Sequence, residues 1–329
     1  MDKESFIMGV YVGQRLGRWR NYNIVRWLNG DGSVLDEKTY KLGESEPKTY
    51  KIPIKESELA TNFAFYKWGS PVKERNVTTY SPIFVEYEEN EFLLTAKTRI
   101  QFYIITNGKV IIDWGDGSTL SISRNGNSEP KHEYSDVDTE YLVKITGRIH
   151  ALHFATNVYP YFSNGLVSII TPFPSTFQSN PFGTSHYHYR RCFMDCRLLT
   201  YVPEDLFFKC LPSKEISHER DFSRCFEGCH SLISVPEKLF SRCTNTRDFS
   251  YCFYRCLSLE SVGFELFKNC EEAYNFSYCF DSCENIITRV PDLWITHSSA
   301  IKERCYFKCT KAANYAAIPK EWKTPKEWM

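Results

Sequence analysis

The sequence predicts a multidomain α+β protein: β modules in the N-terminal half, then a solenoid of short stacked repeats. Three observations predict it. Between residues 21 and 155, apolar and polar residues alternate between Gly- and Asp-containing turns, the pattern of half-buried strands. From Leu166 onward one unit recurs, with Cys225, Cys252 and Cys279 spaced by 27 residues and Cys229, Cys256 and Cys283 likewise. Inside that unit Phe222, Cys225, Phe226 and Cys229 stand at i, i+3, i+4 and i+7, which would line one face of a short helix.

Composition narrows the function. Lys+Arg and Asp+Glu both number 40, which argues against a protein that gains affinity by laying basic side chains along phosphates. A hydrophobic content of 42% supports folded cores, and the apolar runs are too short to span a membrane as a helix. Residues 6–12 look like the centre of an export signal. The balanced charges before them and the lack of a small-residue cleavage site after them argue against one. The C-terminal IPKEWKTPKEWM offers no lipid anchor. Gly9, Gly13 and Gly17 fall four apart, so on a helix they would admit a close partner backbone. With Arg15, Arg18 and Trp19 they make residues 1–20 a candidate docking or self-association segment; an ordinary turn-rich lead-in is the plainer alternative.

Residues 21–90 form the first expected β module. YNIVRWLNGDGSVL alternates, then places Asn29, Gly30, Asp31 and Gly32 where a hairpin turn belongs. Further strands are expected in FAFYKW and SPIFVEY. The strand leading to Asp31, Gly32, Ser33, Val34 and Leu35, the Tyr40/Gly43 step, Trp68-Gly69 and residues 77–87 resemble the Listeria–Bacteroides repeat. That resemblance implies a small β-grasp-like module common in surface proteins. Residues 91–155 form the second module. KVIIDWGDGS runs into Asp113, Trp114, Gly115, Asp116 and Gly117, where Asp-Gly supplies the positive φ of a tight hairpin. His132-Glu133-Tyr134 and the YLVKITG strand follow. This order of WGDG, H-x-Y and Y-x-V-x-I resembles the PKD-type β-sandwich, which implies a turn-forming role for Asp113 and Asp116 rather than catalysis or calcium binding.

Residues 156–329 carry the repeats. Three units read RRCFMDCRLLTYVPEDLFFKC, DFSRCFEGCHSLISVPEKLFSRC and DFSYCFYRCLSLESVGFELFKNC, and a fourth begins NFSYCFDSC. Gly263 replaces a proline in one unit and His297 the last cysteine in another. Residues 165–177 and 302–319 read as degenerate units, with Ala312 at a leucine position. No unit could bury its Phe/Cys/Leu face alone, so like residues should stack, Phe226 near Phe253 near Phe280. The F-x-x-C-x-x-L-x-x-V string resembles the BspA-like leucine-rich repeats of bacterial and phage surface proteins.

The Cys-x-x-x-Cys pairs admit zinc, disulfide and packing readings. Stacked identical units give a line of thiols rather than two pairs converging on a tetrahedral ion. Cβ atoms four residues apart on a helix lie about 6 Å apart, beyond the roughly 3.5–4.5 Å of a disulfide, and the total of 13 is odd. Cysteine as small buried filler, in a chain made in a reducing compartment, is the expectation, with no metal and no cofactor. No nucleophile elbow, phosphate loop, H-E-x-x-H or dinucleotide fingerprint occurs, and His186-Tyr187-His188 reads as a cap or loop. A non-enzymatic protein is expected.

Outward positions suggest where it would act. Arg224, Tyr251 and Tyr278 share one slot, Glu227, Tyr254 and Asp281 another, and Tyr201 aligns with Ser234, Ser261 and Thr288. Tyr201, Arg224, Tyr251, Tyr254 and Tyr278 are therefore receptor-binding candidates, through rigid aromatic contact or stacking on sugars; half-buried edges of the ladder are the alternative. All three resemblances imply non-enzymatic surface proteins. Lacking a legible export signal or anchor, the chain is expected to be a bacteriophage virion protein, a tail or head fibre, homotrimeric by analogy. It would meet other virion proteins through its N-terminus and a host-surface glycan or protein through its repeats, with neither nucleic acid nor membrane insertion. A bacterial cell-surface adhesin and a polysaccharide-degrading tail spike are the alternatives.

Overall fold

The computed structural model describes residues 22–49, 53, 63–123, 125–154, 164–174, 189–208 and 220–325. The chain divides into two compact units, Met1–Glu86 and Tyr87–Met329.

In the first unit β1 (Tyr22–Leu28) and β2 (Val34–Lys41) form the hairpin expected at residues 29–32. Gly32 takes a φ of 80°, and Asp31 Oδ1 accepts hydrogen bonds from the Ser33 amide at 2.8 Å and hydroxyl at 2.6 Å, an Asx turn. The remaining strands are β3 (Phe63–Trp68), β4 (Val72–Glu74), β5 (Val77–Tyr80) and β6 (Pro82–Glu86). The main sheet runs β2-β1-β5-β4 with β1 and β5 parallel, and β3 pairs with β6. Buried Val25 and Trp27 anchor it, Trp27 stacks on Tyr80 at 6.2 Å, and the Glu46 carboxylate accepts hydrogen bonds from Tyr40 and Tyr80.

The second unit opens with β7 (Glu91–Ala96), β8 (Arg99–Gln101), β9 (Tyr103–Asp113), β10 (Thr119–Ile122), β11 (Gly126–Ser128), β12 (Lys131–Glu133), β13 (Tyr141–His153) and β14 (Leu166–Ile169). The order is β10-β9-β13-β7-β14, with β11 also on β9 and β8 paired to β12. In place of the expected β-sandwich this sheet is nearly closed and barrel-like. The long β13 pairs with β9 on one edge and β7 on the other, and its register shifts between Gly147 and Ile149 and again between Ile149 and Ala151. Such irregularities bend a strand and tighten its twist. Gly147 makes the bend possible: its φ is 134°, and a Cβ there would lie 2.5 Å from the Lys109 carbonyl oxygen. The WGDG, H-x-Y and Y-x-V residues form one aromatic assembly, with His132 stacked on Trp114 at 4.9 Å, Tyr134 on Tyr141 at 4.3 Å, and the Tyr134 hydroxyl donating to the Trp114 carbonyl.

Beyond β14 the units stack layer on layer. β15 (Arg220–Asp221) pairs in parallel with β17 (Thr246–Asp248), continued by bridges from Asp248 to Asn275 and Asn275 to Ile301. β16 (Ser234–Val235) pairs in parallel with β18 (Ser261–Val262), and Ser168 bridges Tyr201 in the same sense. The interior holds aromatic columns: Phe154, Phe193, Phe226, Phe253, Phe280 and Tyr306 follow one another at 5.1–5.6 Å, and Tyr189, Phe222, Phe249 and Phe276 at 4.7–5.6 Å. The β13 end supplies Phe154 as the first ring, and Trp322, 6.3 Å from Tyr306, closes the other end. Both exposed faces of the stack are thereby capped, as a repeat array requires.

The predicted α+β class is wrong. The chain is mostly β, with 35% strand and 4% helix, and the described residues of 156–329 form no helical solenoid. The helix expected from Phe222 to Cys229 is replaced by consecutive turns. The backbone shows why. Arg224 and Gly228 take φ values of 60° and 71°, and the same slots hold Tyr251 and Arg255, Tyr278 and Ser282. A left-handed residue every fourth position stops a right-handed helix from propagating. Alternate amides then serve different layers: Cys225 and Cys229 bond to the carbonyls three residues back, while Phe226 bonds to Cys252 of the next layer at 2.8 Å. Repeated down the stack, the Phe193, Phe253 and Phe280 amides reach Cys225, Cys279 and Cys305 at 2.8–2.9 Å. The spacing i, i+3, i+4, i+7 fits two such turns as well as it fits a helix. The described helices are short: Leu293–Thr296, Lys320–Lys323 and the 3₁₀ turn Tyr315–Ala317.

Candidate functional site

The left-handed slot sets the site. A residue there projects its side chain outward, and because each layer repeats the turn, side chains of successive layers come into register. Arg224, Tyr251, Tyr278 and Arg304, with φ values of 54–60°, form one surface column. The Arg224 guanidinium lies over the Tyr251 ring at 4.2 Å, Tyr251 stacks on Tyr278 at 4.5 Å with the planes 3° apart, and Arg304 covers Tyr278 at 5.2 Å. Each junction is a cation–π or stacked-ring contact, individually about 0.5–1.5 kcal/mol.

Acids fix the ends. Arg224 Nη1 donates to Glu227 Oε2 at 2.8 Å, and Arg304 Nε to Asp281 Oδ2 at 2.7 Å, where the Asp281 side chain is fully buried. Burial raises both carboxyls above the ordinary carboxylate range, and the paired guanidinium opposes the shift in each. The Tyr278 hydroxyl donates to Glu303 Oε1 at 3.1 Å; burial, then that bond, pushes its pKa up to about 12. Tyr254 meets Tyr251 edge to face at 5.5 Å. Among the described residues the Tyr251 and Tyr254 hydroxyls make no hydrogen bond.

Four of the five sequence-derived candidates, Arg224, Tyr251, Tyr254 and Tyr278, therefore come together, and all four are half-buried. Tyr201 does not join them: it sits on the strand-step ladder, where its carbonyl accepts the Ile169 amide, and burial raises its hydroxyl pKa. The column covers both faces of the Tyr251 and Tyr278 rings, so a partner can reach these two only at edges and hydroxyls. Arg304 and Glu303 were missed. Setting residues 302–319 in register with the better units places Arg304 in the slot of Tyr278, and that alignment is the signal that finds it. Gly9, Gly13, Arg15, Gly17, Arg18 and Trp19, like the His186–His188 cluster, lie outside the described residues.

The thiols have a different place. All twelve described cysteines are unbonded to one another and fully buried. Cys229, Cys256, Cys283 and Cys309 each donate Sγ–H to the phenylalanine carbonyl of the layer before, Phe193, Phe226, Phe253 and Phe280, at 3.0–3.2 Å. Burial raises the pKa of these described thiols where a shift is seen, Cys229 and Cys256 among them, which disfavours the nucleophilic thiolate. His297 occupies the slot of Cys270 one layer on, with Nε2 3.0 Å from the Cys270 carbonyl. Among the described residues no group of three or more His, Cys, Asp and Glu side chains is placed to hold a metal ion, and no helix is long and apolar enough to cross a membrane. Compared with known proteins, the chain matches no family model, no curated protein and no solved structure.

Proposed function

We propose that the protein is a non-enzymatic attachment scaffold, a tail or head fibre component of a bacteriophage particle that touches the host surface through its stacked layers. The observation that carries this reading is the column Arg224–Tyr251–Tyr278–Arg304. It is held in register by the fold, and it presents ring edges on a rigid support, with the Tyr251 hydroxyl and that of neighbouring Tyr254 making no hydrogen bond among the described residues. Rigid aromatic side chains give contact area at low entropy cost. The buried thiols support a structural role for the residues best suited by type to nucleophilic chemistry. The phage assignment draws on the resemblances of the three sequence segments to surface-protein modules, and a bacterial adhesin is the rival that shares them.

The test is competition for host cells. Purified full-length chain should bind the host and block particle adsorption, should be found in purified particles, and should release no reducing sugar from host polysaccharide. Sugar release would replace this reading with a depolymerase. Absence from particles together with presence on bacterial cells would replace it with an adhesin.

A further inference from the structure

We propose that the layered stack is a one-way redox gate: it assembles only from the fully reduced chain and, once assembled, shields its thiols from disulfide exchange. The inference does not rest on what the protein binds. It follows from where the sulfurs are. Each of the twelve described cysteines is completely inaccessible, and they run the length of the stack from Cys192 to Cys309. In four pairs the second cysteine is not inert filler, because its S–H is committed to a carbonyl of the preceding layer: Cys229 to Phe193, Cys256 to Phe226, Cys283 to Phe253 and Cys309 to Phe280. Cys192, the first of its pair, donates likewise to the Leu152 carbonyl. These bonds need the hydrogen, which a disulfide lacks.

The chemistry differs on the two sides of folding. In the unfolded chain 13 thiols are exposed with ordinary acidity, and a small-molecule disulfide such as oxidised glutathione reacts with them readily. A thiolate attacks one sulfur of the oxidant and expels one glutathione thiolate. A second chain cysteine then attacks the mixed disulfide and expels the other. Two chain thiols are oxidised to one S–S bond, one oxidised glutathione is reduced to two glutathione thiols, and the two protons leave with them. Most such pairings join cysteines from different layers, and any that takes in Cys192, Cys229, Cys256, Cys283 or Cys309 removes an S–H donor from its slot. In the folded chain the same attack requires a thiolate that burial disfavours and an oxidant that cannot reach it.

The experiment uses the full chain with oxidised and reduced glutathione as probes. Denatured protein refolded in reduced glutathione should recover the native circular dichroism spectrum. Refolding in oxidised glutathione should lower the native yield at least about tenfold, and adding reductant afterwards should restore it. Native protein held in the same oxidised buffer should keep its fold, and a chromogenic thiol reagent should titrate no more than one cysteine rapidly until denaturant is added. Equal refolding yields in the two buffers, or rapid labelling of several thiols in native protein, would overturn the proposal. Because the native protein and the refolding chain are compared in one buffer, a general toxicity of the oxidant to the fold would show as loss in both, which also counts against it.

Discussion

At the scale of single residues, the repeat is decided by backbone conformation more than by side-chain pattern. Arg224, Tyr251, Tyr278 and Arg304 occupy left-handed slots, as do Arg255 and Ser282 four residues after their partners. A non-glycine residue there carries a steric cost of about 1–2 kcal/mol, offset by inter-layer hydrogen bonds. Arg255 is exposed, with a φ of 58°, so Arg255→Gly should raise unfolding stability in urea by about 0.5–1 kcal/mol, the reverse of a substitution from glycine at positive φ. In the helix that the spacing suggests, the same change would cost about 1 kcal/mol; a loss of that size would contradict the turn geometry. Gly263, which reads in the sequence as a lapse from proline, has its own reason. A Cβ there would fall 2.3 Å from Glu237 Cα, and its amide donates to the Val235 carbonyl, a bond proline cannot make.

At the scale of elements, hairpins were legible and the repeat's secondary structure was not. Asn29–Gly32 and Asp113–Gly117 are turn signals with a local cause, positive φ at glycine and Asx bonds to the following serine, and nothing distant overrides them. The Phe/Cys spacing has no such local cause. Which of helix or stacked turn it forms depends on hydrogen bonds to the next layer, 27 residues away. Neither the slot shared by Arg304 nor the thiol–carbonyl bonds can be seen from one unit alone. The barrel-like sheet was likewise hidden, since it depends on the bends in β13. Its β9–β10 turn makes a test of acid stability. Asp116 accepts hydrogen bonds from the Ser118 amide and hydroxyl and pairs with His132 Nε2 at 2.8 Å, and these hold its pKa at about 2 against an unfolded value of 3.8. A carboxyl lowered by folding stabilises above its unfolded pKa, and that contribution is lost as pH falls toward the folded one. The stability advantage of wild type over Asp116→Asn, measured by denaturant unfolding, should be constant above about pH 5 and shrink between about pH 4 and pH 2. An advantage that stays constant down to pH 2 would show that these bonds do not set the carboxyl.

At the scale of the whole molecule, the second unit directs its aromatic columns, thiols and parallel ladders to joining one layer to the next, and caps the array with Phe154 at one end and Trp322 at the other. What remains on the outside is a surface held in register, with Tyr251 and Tyr254 hydroxyls that make no hydrogen bond among the described residues. Replacing both by phenylalanine keeps every ring contact and removes only those groups, so stability should change by less than about 0.5 kcal/mol. The most direct measurement of the central claim is therefore the affinity of purified full-length Tyr251→Phe/Tyr254→Phe protein for host cells beside wild type. The account predicts at least a tenfold loss of binding with an unchanged unfolding midpoint. Wild-type affinity in the double variant would contradict it.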